Sequence, residues 1–286
     1  MPDTSLASLV RAAAQRLADA GVTDPLVDAE LLAAHVRGVR RGELQAAIIR
    51  GDVVAVADAE VFEALVSRRA AREPLQHITG TAPFRHLELA VGPGVFVPRP
   101  ETETVVQFAI DALLNSAEPA PIGVDLGTGS GAIALAMATE VPHSRIFAAE
   151  LSPDAYPWAR RNIAAAANIT LVNEDLTSAF RELDGSASVV ISNPPYVPDA
   201  AVPRDPEVRL FDPAMALYGG EDGLDVVRVL STRALALLRP GGLLVIEHGE
   251  LQGEDIRGIL TRDGWRAPAT HRDLTQRDRA TTALRP

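Results

Sequence analysis

Apolar residues in the first 80 positions recur at intervals of three and four, the spacing of a buried helical face. Leu6, Leu9, Val10, Ala13 and Leu17 form one such set. Thr23-Asp24-Pro25 reads as an N-cap, followed by a helix carrying Leu26, Ala29, Leu31, Leu32 and Val36 that ends near Gly38. A further helical stretch is predicted from Val54 to Arg72, stopping before Pro74. Together these predict a small all-helical domain over residues 1–80. Residues 81–98 change character: Phe84, Leu87, Leu89, Val91, Val95, Phe96 and Val97 are interrupted by Gly92-Pro93-Gly94, which predicts a β-hairpin linker.

Over residues 99–286 the pattern alternates. Pro100 suits the first turn of a helix whose buried stripe is Val105, Val106, Ala109, Leu113 and Leu114. Short apolar runs at 122–126, 145–151, 169–173, 189–192 and 243–247 then alternate with helical runs at 132–140, 154–167, 224–238 and 256–261. This is the signature of parallel βαβ units in an α/β doubly wound sheet. Trp265 to Arg285 would supply two final strands, with an antiparallel last strand as one option.

Composition removes whole classes of chemistry. The 286 residues contain no cysteine, and all 27 basic residues are arginine. Disulfides, thiolate metal sites and thiol nucleophiles are excluded. So are Schiff-base chemistry and the lysine of a phosphate-binding P-loop. The start, Met1 to Ala20, carries Asp3, Arg11, Arg16 and Asp19 and lacks a signal-peptide core; no run approaches the about 18 apolar residues of a membrane span. A cytoplasmic protein without a membrane partner is expected. The net charge of −11 argues against a nucleic-acid partner, which needs a basic face. The six histidines show no metal-binding spacing, so His77, His86 and His248 read as structural and no metal is expected.

Two motifs carry chemistry. Asp125-Leu126-Gly127-Thr128-Gly129-Ser130-Gly131 follows a strand and opens a helix, where glycines let the backbone turn sharply and approach a ligand. Glu150 ends the next strand, placed to accept hydrogen bonds from ribose hydroxyls, and Asp175 after the third strand is placed for an adenine amino group. The set describes an adenosine-ribose site without naming the cofactor, although the Gly-x-Gly-x-Gly spacing disfavours NAD. The plain alternative is a tight turn without a ligand. The second motif is Asn193-Pro194-Pro195-Tyr196, directly after an apolar run. Its prolines stiffen the loop. The Asn193 side-chain oxygen and the Pro194 carbonyl can each accept one hydrogen of a planar NH2 group while the Tyr196 ring packs on its flat face. A Pro-Pro turn capping a strand is the bland reading.

These two motifs resemble those of Rossmann-like S-adenosylmethionine methyltransferases acting on amino or amide nitrogen. Three more strings, Arg72 to Gly80, Phe96 to Glu103 and Leu217 to Leu224, make the chain similar to the release-factor glutamine methyltransferases (PrmC/HemK family) over nearly its whole length. The resemblance implies a helical substrate-recognition domain, a hairpin linker and a seven-stranded methyltransferase domain. It implies S-adenosyl-L-methionine as cofactor, S-adenosyl-L-homocysteine as product, and peptide chain release factors as protein partners, methylated on N5 of the glutamine in their Gly-Gly-Gln loop. Carried over by motif, Asn193, Pro194 and Tyr196 are the catalytic candidates. Asp125, Gly127, Thr128, Gly129, Ser130, Gly131, Glu150, Asp175, Leu176 and Asn193 are the cofactor candidates. Arg99, Glu101, Asn193, Pro194, Pro195 and Tyr196 are the substrate candidates. Glu150 stands where the family usually has Asp, and Leu176 where it often has an aromatic residue.

Several readings compete. Glu101 and Glu103 either favour a helix start or shape the substrate mouth. Arg68, Arg69 and Arg72 read as a solvated helix end rather than an RNA contact, with a meeting with the partner protein as the other option. A nucleic-acid N-methyltransferase would use the same clamp but needs a basic strand-binding surface, against which stand 18 Arg and 27 acids over residues 81–286. A methyltransferase for a ribosomal-protein glutamine would share the catalytic motifs. A non-catalytic cofactor-binding module would not need the Asn-Pro-Pro corner, and an NAD oxidoreductase of Tyr-x-x-x-Lys type is ruled out by the missing lysine.

Overall fold

The computed structural model describes residues 5–286; Met1 to Thr4, part of the N-terminal stretch read above, lie outside the described residues. In chain order come α1 (Leu6–Asp19), α2 (Pro25–Arg37), α3 (Arg41–Arg50), α4 (Val56–Ala70) and the short α5 (Leu75–Thr79). A two-stranded sheet of β1 (Thr81–Phe84) and β2 (Leu87–Ala90) follows, then α6 (Pro100–Leu114). Next are β3 (Ile122–Leu126), α7 (Ala132–Glu140), β4 (Arg145–Ala149), α8 (Tyr156–Ile163), β5 (Ile169–Val172) and β6 (Ala187–Ser192). The chain ends with α9 (Pro206–Phe211), α10 (Ala214–Leu217), α11 (Asp225–Leu237), β7 (Leu238–Glu247), α12 (Gly253–Arg262), β8 (Arg266–Arg272) and β9 (Asp278–Leu284). Among the described residues no helix is long and apolar enough to cross a membrane.

The chain forms two compact units, one of residues 1–81 with 204–211, the other of residues 82–203 with 212–286. In the first, Leu6, Val10, Ala13 and Leu17 of α1 meet Leu32 of α2, Leu44 of α3 and Val66 of α4 in one apolar core. The cap of α2 sits at Asp24, whose side chain makes no capping bond, and Gly38 ends the helix in the left-handed region at φ 62°. Helix α3, absent from the periodicity reading, buries only Leu44 and Ala47.

Of the cluster read above as a solvated helix end, Arg68 is exposed, but Arg69 is buried and Arg72 half-buried. Arg69 Nε donates to Asp28 at 2.7 Å and its Nη1 to Glu207 at 2.7 Å, while Arg72 Nε reaches the same Glu207 oxygen at 2.9 Å. Burial resists ionisation of Glu207, but Asp205, Arg72 and Arg69 outweigh it and hold its carboxyl down to about 2. The eight residues around α9, encoded in the second half of the chain, are thus fastened into the helical unit by charge.

The second unit is built on a seven-stranded sheet of order β5-β4-β3-β6-β7-β9-β8, parallel from β5 to β7. Strand β9 inserts antiparallel between β7 and β8. Both faces are covered, so the inner strands are apolar on both sides. Val189, Ile191 and Val245 point into one core with α6 and α7, and Val190, Leu244 and Ile246 into another with α11 and α12. Strand order reverses beside β3, and in such sheets the crevice at the carboxyl ends of the strands receives ligands.

Candidate active site

The glycine turn lies at the carboxyl end of β3. Gly127, Gly129 and Gly131 all adopt positive φ, at 78°, 58° and 84°, which bulkier residues resist. A Cβ on Gly127 or Gly129 would meet nothing within 4 Å, whereas one on Gly131 would come within 3.2 Å of Ile163. The first two glycines therefore front open space, and the third allows close packing on α8. Asp125 is fully buried; one oxygen accepts from Thr128 Oγ1 at 2.5 Å and from the Ala134 N–H at 3.1 Å, while its Oδ1 has no hydrogen-bond partner. Burial above all pushes its carboxyl up to about 7.

Glu150, just past β4, accepts from the Gly129 N–H and the Ser152 N–H, both at 2.7 Å. It braces the glycine turn, and each oxygen retains a lone pair for a hydroxyl donor. Burial raises its pKa, against the pull of those amides. Asp175 accepts from the Thr177 N–H at 2.8 Å and sits below its ordinary pKa mainly through Thr177. Leu176 packs on the apolar cluster beneath, and the Ser130 carbonyl accepts from Asn162 Nδ2 at 2.9 Å. An acceptor with an orphaned buried oxygen, a carboxylate beside the turn and open space over two glycines fit S-adenosylmethionine, which Asp125, Glu150, Asp175 and Leu176 would hold if it binds here.

The Asn193-Pro194-Pro195-Tyr196 corner leaves the carboxyl end of β6, the strand next to β3. Its backbone is held from outside. Val197 donates to the Leu217 carbonyl at 2.8 Å, Gly219 donates back to the Val197 carbonyl at 2.9 Å, and Gln252 Nε2 donates to the Tyr196 carbonyl at 2.9 Å. A Cβ on Gly219 would stand 2.4 Å from the Pro195 carbonyl oxygen, and one on Gly223 2.3 Å from that of Tyr196. The Leu217 to Leu224 string is thus a glycine-rich bed on which the corner lies, and only glycine fits there.

Around the corner gather groups that sequence reasoning missed. Glu247 ends β7, 1% exposed, and its carboxyl is in hydrogen-bonding reach of Thr102 and Asn193, with Arg279 and Glu101 nearby; its Oε2 lacks a partner of good geometry. Burial pushes it up to about 7. Tyr196 is pushed up to about 12, first by burial and then by the charge of Glu247. Glu101 lies close enough to act on both groups. Arg99 is otherwise engaged: it pairs with the enclosed Asp212 at 2.7 Å and lies over the Phe96 ring. Its guanidinium is near enough to Tyr196 to act on it through its charge. His248 is buried between the Gly249 carbonyl and Thr281. Among the described residues no group of three His, Cys, Asp or Glu side chains could hold a metal.

Comparison with known proteins now decides the family. A domain described as the PrmC N-terminal domain matches residues 8–80, and one described as the methyltransferase small domain matches residues 87–218. The release factor glutamine methyltransferase of Streptomyces coelicolor is 53% identical over 276 residues, covering 96% of both chains. The chain belongs to the release factor glutamine methyltransferase family. The relative of that name from Mycolicibacterium smegmatis is 45% identical over 285 residues, covering 99% of this chain and 98% of its own. Among solved structures, the T. thermophilus 16S rRNA N2 G1207 methyltransferase, in complex with AdoMet and guanosine, aligns with a TM-score of 0.53 at 20% identity, over 72% of this chain and 50% of that one. That likeness bears on the fold, an α/β Rossmann-like methyltransferase sheet.

Proposed function

We propose that this chain methylates the side-chain amide nitrogen of the glutamine in the Gly-Gly-Gln loop of peptide chain release factors, with S-adenosylmethionine as donor, and that it works in the cytoplasm where its substrate resides. The observation that carries this reading is the Asn-Pro-Pro-Tyr corner on β6, fixed by its glycine bed one strand from the glycine turn. Full-length kinship to release factor glutamine methyltransferases selects the substrate class.

The bound cofactor supplies an electrophilic methyl group on a sulfonium. An amide nitrogen is a poor nucleophile because its lone pair is delocalised, so positioning is the chief contribution of the protein. Asn193 Oδ1 and the Pro194 carbonyl accept the two N–H bonds of the glutamine and aim its nitrogen along the line of attack; the surplus amide proton, strongly acidic once the nitrogen carries the methyl group, is then lost to solvent. Such orientation supplies several kcal/mol, up to about 7–11 in favourable systems. Tyr196 covers the flat face of the amide; with its hydroxyl held at about 12 it stays neutral and is no base at physiological pH. Buried Pro194 and the packed corner keep water from the reacting atoms.

The test is direct. Incubated with methyl-labelled S-adenosylmethionine and, separately, release factor, ribosomes or DNA, the enzyme should label the glutamine-bearing peptide of the release factor; label on nucleic acid alone would overturn the assignment. Asn193→Ala should keep cofactor binding largely intact and lower kcat by about 100- to 1000-fold, the cost typical of removing one preorganised hydrogen-bonding group. Unchanged turnover would refute the clamp.

A further inference from the structure

An asparagine side chain has two ends of nearly equal shape and opposite hydrogen-bonding sense. The clamp works only if Asn193 turns Oδ1, and not Nδ2, toward the substrate NH2. Something must select that orientation before substrate arrives. Strands β6 and β7 run parallel with Ser192 paired to Ile246, so the next residue on each, Asn193 and Glu247, emerge side by side. Glu247 is enclosed, in reach of the Asn193 amide, and has an oxygen with no other partner of good geometry.

We propose that Glu247 is the positioning residue that sets the facing of the Asn193 amide, accepting from Nδ2 and so leaving Oδ1 directed at the substrate nitrogen. The idea rests on the clamp described above. An ionised carboxylate has only acceptors and can bind only the Nδ2 end; a protonated one can donate to Oδ1 and take it from the substrate. The ionisation state of Glu247 therefore governs the clamp. The groups facing it are Thr102 and Glu101 on α6, Asn193 and Tyr196 on the corner, and Arg279 on β9. Thr102, Asn193 and Arg279 favour the ionised form, while burial and Glu101 oppose it.

The test combines a spectrum and a rate. In the ligand-free enzyme, the Asn193 side-chain NH2 signals, assigned by their absence in Asn193→Ala, should shift with a midpoint near pH 7 and should not titrate in Glu247→Gln. This spectrum needs no substrate, so it speaks to the inference even if release factors prove to be the wrong substrate. With release factor, Glu247→Gln should lose about 10- to 100-fold in kcat, the worth of a hydrogen bond to a charged group, while the KM for S-adenosylmethionine stays within about twofold. Wild-type kcat should fall below pH 7, and that of Glu247→Gln should not. Asn193 signals that do not titrate would overturn the proposal, as would a Glu247→Gln enzyme with wild-type kcat and pH profile. A variant that loses cofactor binding and folded structure together would reduce Glu247 to a structural role. Should wild type fail to methylate release factor while the signals titrate, the substrate assignment fails and the orienting role stands.

Discussion

The two units bury charge in opposite ways. In the helical unit, Asp28, Arg69, Arg72 and Glu207 bond to one another, and Glu207 is held down to about 2. In the sheet unit, Asp125 and Glu247 are more deeply enclosed, yet Asp125 keeps an oxygen without a hydrogen-bond partner, Glu247 one without a partner of good geometry, and each is driven up to about 7. A finished network fastens one piece of chain to another. An unfinished one leaves buried acceptor capacity at the carboxyl ends of the strands, which Asn193 draws on at Glu247 and which stays open at Asp125. The sheet unit bears the desolvation cost of buried carboxylates where cofactor and amide would arrive.

The largest effect that would test this contrast comes from Glu207→Ala. Removing it takes from the buried Arg69 one of its two carboxylate partners, Asp28 remaining, and takes from Arg72 its closest one; breaking a buried pair this way costs about 3–5 kcal/mol. Denaturant titration should find the loss in the helical unit; a loss under about 1 kcal/mol would mean that the network contributes little. A middle-sized effect is pH dependence. The raised carboxyls of Asp125 and Glu247 hold protons in the folded state that the unfolded chain releases from about pH 4 upward. Their contribution to ligand-free stability should therefore fall as pH rises from about 4 to about 7 and then level. Glu207 has the reverse sign: its contribution is complete above its unfolded value near 4.5 and disappears as pH falls toward 2. Melting temperatures of ligand-free wild type and Asp125→Asn between pH 4 and 8 should show a shallower decline in the variant; parallel curves would remove Asp125 from the account. The smallest effect is expected at the exposed pair of Arg16 and Glu63. Glu63→Gln should change stability by no more than about 1 kcal/mol, and a larger loss would blur the distinction between enclosed and exposed charge.

What the sequence revealed follows from how far each signal reaches along the chain. The glycine turn and the diproline corner were legible because local backbone geometry dictates their residue types: Gly127, Gly129 and Gly131 occupy positive φ. Helix α2 was legible from periodicity and its ends, and α7 from its place in the alternation of strands and helices. Helix α3 was not, because Arg41, Gly42 and Gln45 dilute a stripe that buries only Leu44 and Ala47. Strand β7 begins at Leu238 rather than 243 because it continues through Gly241-Gly242, which reads as a turn. The placement of α9 with the helical unit was invisible, since it depends on Arg69 and Glu207, 138 positions apart. Glu247 was missed for a different reason. It reads as the polar end of an apolar run, and only its pairing beside β6 brings it to Asn193. An acid closing the strand that neighbours the diproline strand was the available clue.

The eight residues around α9 have one more consequence. Because the helical unit draws on two separate stretches of sequence, no single cut divides this protein into its parts. A truncation that removes residues 1–81 strips Glu207 of Arg69 and Arg72 and strands a carboxylate in the middle of what remains. Recombination meets the same obstacle: a graft that replaces the N-terminal module must also carry a matching short insert near position 207, so the two stretches are expected to be inherited as a set.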